Sequence, residues 1–190
     1  KITKKYLGFV LVGNASYNSI NGLLILLLTT NLGFTASGAS NFKLILGIIA
    51  VIVATLILKK FTFKNNYINL SIKFVGRLLL YILSFLTNNK IIFLITIIYV
   101  RLFSESYSHV SDAPYVNRFS ADEQLAFCNF SEMINYLSKA IGNLCCGIAL
   151  SLGTRYNFVF AAFFITLQIY FAFNALHLLN EEKRANGELV

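Results

Sequence analysis

Six apolar stretches divide the sequence, at 6–28, 42–58, 68–86, 91–108, 129–152 and 156–179, each seventeen to twenty-four residues long. At about 1.5 Å of rise per helical residue, such lengths suit a hydrocarbon core of roughly 30 Å. In lipid every backbone N–H and C=O must be satisfied within the chain, which leaves helices as the spanning form for stretches of this kind. Composition agrees, because 57% of residues are hydrophobic and only 13% are charged, against about 25% in an average soluble domain. The sequence therefore predicts an all-α integral membrane protein with six transmembrane helices and the lipid bilayer as its first partner.

The connectors are short and polar. Residues 29–41 form a turn rich in Thr, Gly and Ser, Lys59, Lys60 and Lys64 mark a basic connector, and 87–90 is a tight turn that makes the third and fourth spans a hairpin. A longer loop with Pro114 follows, then a short turn at 154–157 and a polar tail after 179. Ser120 followed by Glu123 has the spacing of a capping box, which predicts a helix that starts at the interface and runs into the fifth span. Lys73 and Arg77, in the first turns of the third span, are expected to snorkel to the interface near the basic connector.

Six spans bring both ends to one side. That side carries Lys1, Lys4, Lys5, Lys59, Lys60, Lys64, Lys73, Arg77, Arg118, Lys183 and Arg184, whereas the other has Lys43, Lys90 and Arg155. Eleven cations against three predict cytoplasmic termini and a location in the cytoplasmic membrane. The net charge of +8 is thus accounted for by sidedness, and no nucleic-acid partner is expected. The sequence begins at Lys1 and its one Met is Met133, while the first apolar stretch has no small-residue cleavage site. That combination predicts a further segment preceding Lys1.

Polar residues inside the spans are the candidate functional groups. Asn14, Tyr17, Asn18 and Asn21 share one face of the first span. Amides there either bond neighbouring helices, worth about 0.6 kcal/mol each, or line a wet cavity. Arg101, Glu105, His109 and Asp112 recur at steps of four, four and three, forming one stripe on the fourth span and its extension. Charge at the bilayer centre costs roughly 2.5–3.5 kcal/mol on insertion scales, so this stripe is expected to face protein or water. Glu105 beside Arg101 reads either as an internal ion pair or as a proton- or cation-binding carboxylate. On the fifth span Glu132, Asn135 and Lys139 repeat the pattern, with Lys139 a second candidate partner for Glu105.

Enzyme chemistry finds little to stand on. The two histidines, His109 and His177, are 68 positions apart and offer no paired metal ligands, and Cys128, Cys145 and Cys146 have no metal spacing. The cysteines are read as small packing residues. A cysteine peptidase built from His109 and Cys128 lacks a distinctive motif, and the Asp residues are too few for a metal-dependent head-group transferase. No catalytic residue, metal or cofactor is expected.

Leu32-Gly33-Phe34-Thr35 with Gly38, after the first span, resembles the seventh helix and following periplasmic turn of the major facilitator superfamily. Ala113-Pro114, Arg118, Ile141-Gly142 and Gly147 resemble the stretch joining that family's tenth and eleventh helices. The basic connector lacks the Gly/Asp/Arg pattern that many members carry in the equivalent loop. The resemblance covers essentially the whole chain and identifies it with the C-terminal six-helix half. It implies two three-helix repeats of inverted topology, 1–88 and 89–190, and a missing N-terminal half of the same transporter as partner. It also implies secondary transport of a small-molecule solute by alternating access, commonly coupled to protons. Ten Tyr and eighteen Phe with no Trp incline the expected solute toward an amphipathic compound rather than a sugar. A regulatory or accessory membrane protein that keeps the fold without transport is the alternative.

Overall fold

The computed structural model describes residues 2–21, 24–53, 55, 66–87, 89–106 and 119–185, all of whose regular elements are helical. They are α1 (Ile2–Asn21), α2 (Leu24–Leu32), α3 (Ala36–Val53), α4 (Asn66–Thr87), α5 (Lys90–Ser106), α6 (Ala121–Leu152), a 3-10 turn (Thr154–Tyr156) and α7 (Asn157–Ala185). Among the described residues α3, α4, α6 and α7 are each long and apolar enough to cross a membrane, and α1 with α2 makes a fifth such span bent by 43°. The protein is membrane-embedded by this measure. The single spanning helix expected at 6–28 is described as two, α1 and α2, and α5, expected to span at 91–108, is described for 17 residues, about 26 Å of helix.

Local chemistry explains where the elements start and stop. Gly33, at φ 75°, ends α2; only a residue without Cβ adopts that backbone freely. Its N–H reaches Thr29 O at 3.2 Å. Thr35 then caps α3, its hydroxyl accepting from Gly38 N–H at 3.1 Å while its carbonyl accepts from Ala39 N–H at 2.8 Å. The turn expected over 29–41 therefore shrinks to residues 33–35. The capping box forms as expected: the Glu123 carboxylate accepts from Ser120 N–H at 3.0 Å and from its hydroxyl at 2.8 Å. Those bonds, the backbone one first, hold the Glu123 carboxyl below its ordinary range. Glu123 lies in the first turn of the 32-residue α6, before the apolar stretch begins. The polar tail expected after 179 is helical as far as Ala185, where α7 ends, with His177 Nε2 3.2 Å from Glu181 one turn on.

Packing fixes the direction of each helix. At one end Lys5 Nζ donates to Tyr170 OH at 3.3 Å, Tyr6 packs on Phe127 at 5.6 Å, and Asn180 reaches Tyr67 OH at 3.4 Å. The starts of α1, α4 and α6 therefore lie toward the same end of the bundle as the end of α7. At the other end Thr154 donates to Asn31 at 2.8 Å, Phe85 packs on Tyr156 at 5.8 Å and Phe93 on Phe158 at 5.4 Å. The start of α1 and the end of α7 thus share one end of the bundle.

The helix α1 is central, packed chiefly on α7 and α6; α4 packs on α7 and α5, and α3 on α5. Close approach comes from small residues. Ser138 of α6 donates to the Leu11 carbonyl, and a Cβ on Gly142 would stand 2.7 Å from Ala15 O and 2.9 Å from Asn18 Cβ. Ser16 donates to Ala161 O at 3.0 Å across the α1–α7 contact, where Gly13 leaves room for the Gln168 amide. In the α4–α5 hairpin the Ser84 and Thr96 hydroxyls meet at 2.7 Å and Tyr99 OH donates to Ile72 O at 2.6 Å over Gly76. Outward faces are apolar: Leu44, Ile45, Ile48 and Ile49 of α3 and Leu79, Ile82, Leu83 and Leu86 of α4 are exposed. Such a bundle is at home in lipid, where an apolar exterior costs nothing.

Candidate functional site

The structure gives α1 two unlike polar faces. Ser16 and Ser19 are fully buried among neighbouring helices, and Ser19 donates to its own helix at Ser16 O, 2.8 Å away. Asn14, Tyr17, Asn18 and Asn21 lie on the opposite face and are all half-buried. Asn18 turns its amide back to Asn14 O at 2.8 Å, so part of its polarity is absorbed locally.

Arg101 flanks this face from α5. Its guanidinium donates to Tyr17 OH at 2.5 Å, and its other nitrogen lies 3.4 Å from where a Cβ on Gly47 of α3 would stand. One side chain thus ties together α1, α3 and α5. On one side of it is a cavity of about 20 Å³ bounded by Tyr17, Asn21 and Thr96, enough for a single water. On the other, an apolar groove of about 650 Å³ runs along α3, with Lys43 and Arg101 its only charges.

The third wall comes from α6. Contacts of Ser138 and Gly142 with Leu11, Ala15 and Asn18 define which face of α6 meets α1. At about 100° per residue, Glu132, Asn135 and Lys139 then fall on the side of that contact toward which the α1 amides also point. Asn135 and Lys139 are half-buried and Glu132 is exposed. Asn135 donates to Glu132 at 3.4 Å, its Oδ1 is buried without a hydrogen-bond partner among the described residues, and Lys139 Nζ sits 5.1 Å from the centre of the Tyr136 ring. No ion pair joins Glu132 to Lys139 among the described residues. The polar face of α1, Arg101 of α5 and the polar residues of α6 therefore lie toward one side of the bundle.

Part of the expected stripe lies elsewhere. Glu105 belongs to α5 by its backbone, but its side chain, like His109 and Asp112, lies outside the described residues. Cys146 is fully buried, as a packing residue should be, whereas Cys128 is exposed at the start of α6 and does not pack.

The expectation for Lys73 and Arg77 is overturned. They do not snorkel: Lys73 is 6% and Arg77 3% exposed, enclosed by the bundle. With Asn69, Tyr81 and Ser84 they form a buried ladder along the inner face of α4. Arg77 donates to Tyr81 OH at 3.1 Å, and its Nε has no hydrogen-bond partner among the described residues. The signal was present in the sequence, because Asn69, Lys73, Arg77 and Tyr81 recur every four residues opposite an apolar face. A membrane helix turns such a face inward, which reverses the usual amphipathic reading. Gln168, buried in mid-α7 with its Oε1 unpartnered among the described residues, carried no such pattern. No family model, characterised protein or solved structure matches the chain.

Proposed function

We propose that this protein forms half of a secondary transporter, in which a small solute crosses the cytoplasmic membrane by alternating access. The observation that carries the reading is the polar wall that Asn14, Tyr17, Asn18, Asn21, Arg101, Glu132, Asn135 and Lys139 make on α1, α5 and α6. All but the exposed Glu132 are half-buried, on helices that expose many large apolar side chains elsewhere. Such a wall left against lipid is costly, so a second helical half, joined or separate, covers it and closes the cavity.

The packing scheme supports two inverted repeats, 1–88 and 89–190. Exchanging α1 with α5, α3 with α6 and α4 with α7 maps the principal contacts onto one another: α1–α7 onto α5–α4, and α1–α6 onto α5–α3. That is the pattern a major-facilitator-like half would produce, with its site at the repeat interface. The cation excess at the end holding both termini favours a cytoplasmic location for that end. Arg101 and Lys139 suit a solute with an acceptor or anionic group, and Glu105 and Glu132 are carboxylates able to take up a coupling proton.

Thiol accessibility tests this reading. In a background with Cys128, Cys145 and Cys146 replaced by Ser, Cys at Asn14 or Lys139 should react with a membrane-impermeant thiol reagent, because a thiolate forms only in water. Cys at Ile72 or Leu79, on the exposed apolar face of α4, should not. In proteoliposomes holding both halves, Tyr17→Phe should lower solute flux by removing one of the bonds that position Arg101. Labelling at Ile72 and Leu79 with none at Asn14 and Lys139 would reverse inside and outside and end the proposal.

A further inference from the structure

A second site lies at the end of the bundle remote from the termini, independent of the transport reading. A pocket of about 290 Å³ opens there between the ends of α2 and α4, the starts of α5 and α7 and the 3-10 turn. Its charged lining is Lys90 and Arg155, both exposed, and neither is paired with a carboxylate among the described residues. Arg155 is held over the rings of Phe85 and Tyr156, at 5.8 and 5.6 Å, which leaves its N–H edge available.

The amides in the lining are turned the same way. Asn31 Oδ1 is occupied by the Thr154 hydroxyl at 2.8 Å. Asn89 Oδ1 is occupied by Ile91 N–H, at 2.8 Å, as the cap of α5. Both therefore keep only Nδ2 donors for a ligand. The pocket presents donors and positive charge, and the chain's carboxylates all lie at 105–132 or 181–188, away from it in sequence. The starts of the 17-residue α5 and the 29-residue α7 converge on the same place and add the positive ends of their dipoles. Its floor is aromatic, from Phe93 and Phe158, at the level where the helices end. Pockets for drug-sized ligands run upward from about 300 Å³, so this one suits a headgroup.

We propose that this pocket binds a phosphate group, supplied by an anionic phospholipid of the adjoining leaflet. Lipid phosphate lies at the height of the helix ends, and basic pockets between transmembrane helices are suited to it. The test is native mass spectrometry of the full chain after exchange into phosphatidylglycerol or phosphatidylcholine. Wild type should retain phosphatidylglycerol preferentially. Lys90→Gln with Arg155→Gln should weaken retention by about 25-fold, roughly fivefold per cation. Lys43→Gln removes a cation from the same end but outside the pocket, and should leave retention unchanged. Both target side chains are exposed; should the double variant fail to fold, each single variant carries the same comparison. Inorganic phosphate raising the detergent Tm of wild type but not of the variant, without lipid preference, would transfer the site to a soluble phosphate and overturn the lipid assignment. Equal retention of both lipids with no phosphate effect, or full retention by the double variant, would overturn the proposal altogether.

Discussion

Gly142→Ala should separate α6 from α1. The new methyl carbon would lie 2.7 Å from the Ala15 carbonyl oxygen, 2.9 Å from Asn18 Cβ and 3.2 Å from Ser19 N. Against an ordinary contact of about 3.5 Å, the first two fall short by about 0.8 and 0.6 Å. Two of the three neighbours are backbone, so no rotamer change relieves the overlap and the helices must part. That movement also strains the Ser138 bond to the Leu11 carbonyl one turn away. Overpacking of this kind costs about 1–3 kcal/mol. Gly147→Ala is the control within the same helix, since a Cβ there meets nothing within 4 Å. Both variants share the helix-propensity gain of up to about 1 kcal/mol, so the difference between them isolates the clash. At about 2–4 °C per kcal/mol for a chain of this size, Gly142→Ala should melt about 2–12 °C below Gly147→Ala. Cys146, fully buried, reports unfolding to a thiol-reactive dye once Cys128 and Cys145 are replaced by Ser. Melting within about 1 °C of the control would refute the reasoning. So would rescue by Ala15→Gly, which removes a methyl but leaves the clashing carbonyl in place.

Two further perturbations test the buried ladder and the α6 cap. Tyr81→Phe strips Arg77 of its one described hydrogen bond and should cost about 1.5–3 kcal/mol, whereas Arg77→Met removes the buried charge itself and should cost less. A Met variant less stable than the Phe variant, in the same dye assay, would mean that the guanidinium has an anionic partner in the fold. Because the Glu123 carboxyl is held below its ordinary value of 4.5, its cap is fully formed above that pH and is lost as pH falls through the lowered value. Amide exchange in the first turn of α6 should therefore accelerate below about pH 4.5, beyond its intrinsic pH dependence. Glu123→Gln should abolish that step, and a step that survives the change would assign it to another group.

The sequence alone determined the helices and their order. The α4–α5 hairpin, the Ser120–Glu123 box and the polar face of α1 are local or periodic properties, set within a few residues, and each appears in the structure, whereas the apolar stretches return with altered bounds, the first as α1 and α2. What periodicity leaves open is which neighbour a face meets. In lipid an apolar face has no preference between a tail and another helix, so contacts are chosen by small residues and hydrogen bonds between distant segments. Only the tertiary structure could decide that Gly142 meets Ala15, that Arg101 reaches Tyr17 across 84 positions, and that Lys73 and Arg77 turn inward. A cation near a helix end can reach water by snorkelling or be enclosed by its neighbours, and the neighbours settle the outcome. The donor-lined pocket has the same origin: Asn31, Asn89, Lys90 and Arg155 come from three separate connections and acquire a common purpose only where the helix ends converge.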